Sequence, residues 1–157
     1  MNSLCWVLAR FLTSTWVGAA TLFVITGVRQ IRHPEFDSAT RSLLAAVRFP
    51  AYYAFGMSCL VIAANCALFC LLKDRGNRGL KTAAFLLFGA IGLMVVDWIW
   101  IYLPLSEMNL MDPRPAEFHS YHKASMYINF GGLACTLASA MLLCRPQLTT
   151  GDDDQRK

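Results

Sequence analysis

Charge is what this chain has least of. Asp, Glu, Lys and Arg together make up 15% of its 157 residues, against roughly a quarter in ordinary soluble domains. What charge there is (net +4) is dispersed among loops, with no basic patch interleaved with aromatics, so a nucleic-acid partner is not expected. Cysteine is missing where a disulfide framework would need it. Cys5, Cys59, Cys66, Cys70, Cys135 and Cys144 lie inside or at the ends of apolar runs, and none forms a CxxC pair. No HxxxH spacing and no internal repeat occur, which removes the usual zinc signature and solenoid architectures.

Long uncharged runs are what the chain has instead. Phe11–Val28, Phe49–Leu72, Thr82–Val96 and Ala124–Cys144 contain no Asp, Glu, Lys, Arg or His. Three approach or exceed the roughly 18–20 apolar residues that cross hydrocarbon. The third reaches that length by taking in Asp97 and continuing to about Pro104. Four such segments in so short a chain cannot share one soluble core. The expected fold is all-α, an integral membrane four-helix bundle over residues 1–148. Its helices are expected at about 4–28, 50–72, 82–103 and 119–144, with a polar, disordered tail at 149–157.

The first segment carries Arg10 ahead of an apolar run with Ala19-Ala20, which has some look of a signal peptide. Apolar residues before Arg10 and the length of the run favour a retained helix. Ser14 and Gly18 form a small-xxx-small pair suited to close helix contact, and Gly89 and Gly92 suggest the same in the third segment. Pro34 breaks the first loop. Asp37 or Ser38 can then cap an interfacial amphipathic helix over about 38–49, with Pro50 at the start of the second span. Pro104 is expected to stop the third span, and Asp112-Pro-Arg-Pro holds a loop before the fourth. Eight Lys and Arg fall on the side of the termini and six on the other, so both termini are expected in the cytoplasm, in a cytoplasmic-type membrane.

Against this background the polar exceptions stand out. Asp97 is a carboxylate inside a spanning helix, where it costs about 2.5–3.5 kcal/mol at the bilayer centre. Phe118-His-Ser-Tyr-His-Lys-Ala-Ser-Met-Tyr-Ile-Asn129 opens the last helix with polar residues, and His119, His122, Met126 and Asn129 share one helical stripe. Asp97 and these first turns share a depth in the outer half of the bilayer. A polar intramembrane site of Asp97, His119, His122, Ser125 and Asn129 is therefore expected, with Asn65 as the one strongly polar residue deep in the second span. The plainer reading is interhelical glue, or an Asp near enough to the headgroups to be solvated.

Metal chemistry is the other reading of the same residues. His119 and His122 could hold one ion, with Asp97 or Met126 as a third ligand. Histidines at the start of a helix are as readily interfacial, and haem would want them on two helices rather than one. Cys59, Cys66 and Cys70 share a face of the second span and could take a soft metal, or simply pack as small hydrophobes. Ser125 follows His122 by three residues but lacks an orienting acid and the strained exposed turn of a nucleophile. No cofactor is expected, and no enzymatic activity.

Trp16 to Phe23, Arg32-His33, Phe49-Pro50-x-Tyr52-Tyr53 and Asn65, with Tyr121-His122-x-x-Ser125-x-x-x-Asn129 at the end, together resemble the transmembrane protein 205-like family (domain of unknown function 4149). Asp97-Trp98 and Pro104 are also similar, although relatives can carry Asn at the position of Asp97. The resemblance spans nearly the whole chain. It implies a four-helix membrane protein without established catalysis, and points toward transport or soft-metal handling. The expected function is a non-enzymatic multi-pass protein assisting transport or export. A metal-binding or redox subunit and a structural scaffold are the alternatives. The expected partners are the lipid bilayer and either a second copy or another membrane protein.

Overall fold

A computed structural model describes residues 2–111 and 113–145. It is an all-α, four-helix bundle, with no strand among the described residues. The expected tail at 149–157 lies outside the described residues. Helix α1 runs Asn2–Ile31, α2 Ser38–Lys73 and α3 Arg78–Val96. A π-helical turn, Asp97–Tyr102, joins α3 to the short α4, Leu103–Met108, and α5 runs Phe118–Cys144. Taking α3 through α4 as one rod, four helices are long and apolar enough to cross a membrane.

The ends of these helices follow local chemistry. Leaving α1, the chain meets Pro34, which disfavours helix at the residue before it. Asp37 caps α2 by accepting the Thr40 N–H at 2.7 Å. Asn77 does the same for α3, accepting the Leu80 N–H at 2.9 Å. At the same end of the bundle as Asn77, Arg10 donates its Nε–H to the Leu143 carbonyl at 2.6 Å, satisfying a backbone group the end of α5 leaves open.

Two sequence expectations are corrected here. The amphipathic helix at 38–49 and the span from 50 are one continuous α2, with Pro50 inside it. Proline removes the N–H that the Ala46 carbonyl would accept, but Ala46 is exposed at that end. Pro104 likewise does not stop the third span. The π turn widens the helix by a residue, and the Leu103 N–H reaches back to the Trp98 carbonyl. Pro104 then falls in the first turn of α4, where its missing N–H is not needed.

The bundle closes as a ring, α1 against α2, α2 against α3, α3 against α5 and α5 back against α1. Ala63, Ala64 and Ala67 of α2 and Ala83, Ala84 and Ala90 of α3 are buried, so small residues let the backbones approach. Ser139 adds an interhelical bond from α5 to the Ala83 carbonyl at 3.1 Å. Ser14, Gly18, Gly89 and Gly92 do not serve this role. All four are exposed, and the three glycines have nothing within 4 Å of a would-be Cβ. Large apolar side chains cover the outside, among them Phe85 (76% exposed) and Trp100 (68% exposed). Lipid, not water, suits that surface.

Candidate functional site

Asp97 is the first residue of the π turn, and its side chain is fully buried. Asp97 and Tyr102 are the two buried residues of the turn, five apart and on one face, as a wider helical turn places them. The carboxylate therefore points into the bundle. Its Oδ2 accepts three hydrogen bonds: from the Tyr53 hydroxyl of α2, from Ser125 Oγ of α5 at 3.1 Å, and from Asn129 Nδ2 of α5 at 2.5 Å. Ser125 and Asn129 are four residues apart on one face of α5, so both reach the same oxygen. Asn129 Nδ2 also points at the Ser125 carbonyl, 2.9 Å away, and its Oδ1 accepts from the Tyr52 hydroxyl at 3.2 Å. α2 and α5 lie across the diagonal of the ring, and these long polar side chains span it.

Aromatic rings wall the cluster. Tyr53 lies 4.7 Å from Trp98 and 5.0 Å from Tyr102 between ring centroids, and Tyr52 lies 4.8 Å from Trp16. Hydrogen bonds to a charged group contribute about 1.5–3 kcal/mol each. Three of them lessen the roughly 2.5–3.5 kcal/mol that an intramembrane Asp costs, but leave its charge without a counter-charge. The second oxygen, Oδ1, is buried and receives no hydrogen bond from the protein. A small cavity lined by Tyr52, Asn129, Met94 and Thr136, and not by Asp97, meets the cluster at Tyr52 and Asn129, and its free space of about 10 Å³ is about one water.

Of the six residues expected at the polar site, three meet: Asp97, Ser125 and Asn129. His119 and His122 are exposed and make no side-chain hydrogen bond to described residues. The angular argument holds for His122, but it sits three residues before Ser125, about 4.5 Å further along the axis. There it stacks on Phe118, with ring centroids 6.2 Å apart. Asn65 is exposed and donates to the Val61 carbonyl of its own helix at 2.7 Å. An amide can satisfy itself this way without a neighbour.

The histidine metal reading loses Asp97 as a third ligand, because the carboxylate points into the bundle and is held there by α2 and α5 side chains. Among the described residues no group of three or more His, Cys, Asp or Glu could hold a metal ion. Of the thiols expected on one face of α2, Cys66 and Cys70 lie beside Cys5 of α1.

Tyr52 and Tyr53 were the residues missed. They stand in the motif Phe49-Pro50-x-Tyr52-Tyr53 but were not among the residues expected at the polar site. The available signal was the need of a buried carboxylate for donors, which a phenol on a neighbouring span can supply. Comparison of the chain with family models, with curated proteins and with solved structures finds no match in any of the three.

Proposed function

We propose that this chain is a non-enzymatic, multi-pass membrane protein that assists transport or export, with the Asp97 cluster as its intramembrane polar site. In this reading it sits in a cytoplasmic-type membrane with both termini in the cytoplasm, so the cluster lies toward the outer side. The motifs by which the chain resembles the transmembrane protein 205-like family would fit this role. The observation that carries it is one fully buried carboxylate with three side-chain donors on one oxygen and none on the other. Helix association alone does not require a half-engaged carboxylate, since Asn would serve at lower insertion cost.

Solute profiling tests it. Cells carrying empty vector, wild type or Asp97→Ala, at matched levels of folded protein in the membrane, are compared for uptake and efflux of metabolites and metal ions. At least one solute should shift with wild type and return to the vector level with Asp97→Ala. Identical profiles for all three would refute the reading.

A second reading, a scaffold held by the same cluster, rests on the burial of Asp97, Tyr53 and Ser125 within the bundle. It predicts loss of folded protein in Asp97→Ala with no solute effect from wild type.

A further inference from the structure

The four groups that touch or brace Asp97 are neutral: two phenols, one hydroxyl and one carboxamide. They can stabilise a carboxylate oxygen, but they cannot cancel its charge. No Lys, Arg or His lies within hydrogen-bonding distance of Asp97 among the described residues. A net negative charge enclosed by aromatic rings in the hydrocarbon layer is costly until a positive charge joins it. The geometry also shows where that charge would sit. Oδ2 takes three donors, whereas Oδ1 is buried and takes none.

We infer that Asp97 Oδ1 is the binding atom for one small exchangeable monovalent cation, sodium or a proton, within the polar site proposed above. One carboxylate balances one positive charge. A divalent ion would leave a surplus charge in the bundle, and calcium would want six to eight oxygens. The enclosure of Oδ1, which has no accessible surface, excludes an organic solute. A carboxylate oxygen is the hard ligand that such a monovalent cation prefers. The inference rests on the cluster being a functional site, but its test does not depend on what is transported.

Purified protein in lipid nanodiscs is measured in two ways. Infrared difference spectra of wild type minus Asp97→Asn report whether Asp97 is a carboxylic acid or a carboxylate. Tyr53→Phe, which removes one donor to Oδ2, should shift the same band and serves if Asp97→Asn does not fold. Thermal unfolding in sodium, potassium and choline chloride at equal ionic strength reports specific ion binding. A carboxylic acid band that Asp97→Asn removes supports the proton. Carboxylate bands, with a saturable rise in unfolding midpoint in sodium alone, support sodium. Carboxylate bands with no sodium-specific rise would overturn the inference. Solute profiles that still depended on Asp97 would then leave the transport reading standing.

Discussion

Gly56→Ala should break the α1–α2 seam that braces the cluster. A Cβ at residue 56 would lie 2.7 Å from two atoms of the Trp16 indole and closer still to a third. That ring is 3% exposed and lies against Tyr52, so it cannot swing aside freely. Overfilling a close-packed site costs about 1–3 kcal/mol. Replacing glycine inside a helix returns about 0.5–1 kcal/mol. The clash wins, and a net loss of about 1–2 kcal/mol lowers the folded ratio by roughly 5–30-fold. Gly89 is the control, because nothing lies within 4 Å of its would-be Cβ and alanine there should be neutral or stabilising. Reversible unfolding in bicelles measures both. Adding Trp16→Leu to Gly56→Ala should recover part of the loss, because the pair removes the overlap. Gly56→Ala as stable as wild type, beside an unchanged Gly89→Ala, would refute the assigned α1–α2 contact.

Further outcomes follow from single contacts. Asn77→Ala removes the α3 cap and should cost about 1 kcal/mol in the same assay. Ser139→Ala, which loses the bond to the Ala83 carbonyl, should cost about 0.6 kcal/mol, the average for interhelical hydrogen bonds in a membrane. Asn65→Leu should not destabilise the monomer, because Asn65 bonds only within α2. The side-chain and backbone hydrogen bonds of Thr40 hold the Asp37 carboxyl below its ordinary value, with Arg41 adding a weaker pull. A depressed folded value means that this cap helps above the unfolded carboxyl range and is lost as pH falls through the folded one. The Thr40 amide signal should therefore move only at acid pH, and a titration at or above the ordinary aspartate value would contradict it.

The number of spans and the membrane class were legible because uncharged length is a coarse property that tertiary contacts do not alter. Asp97, Ser125 and Asn129 were legible for a related reason: groups that lipid cannot solvate must turn inward, and their depths along two helices can be counted. His119 and His122 misled because a helical stripe fixes direction but not how far along the axis its neighbour extends. Pro104 misled because proline rules forbid a regular helix, whereas a π turn of one extra residue evades them and aims Asp97 inward. Gly56 carried no periodic signal, since its role is set by a Trp on another helix.

The central claim is that Asp97 is held by α2 and α5 side chains inside the bundle, and a double-mutant cycle reads it directly. Unfolding free energies of Tyr53→Phe, Asp97→Asn and the double variant should be non-additive by about 0.5–3 kcal/mol, as expected for residues sharing a hydrogen bond. His122→Ala combined with Asp97→Asn should be additive within about 0.3–0.5 kcal/mol. Additivity for Tyr53 with Asp97, or coupling of that size for His122, would contradict the account.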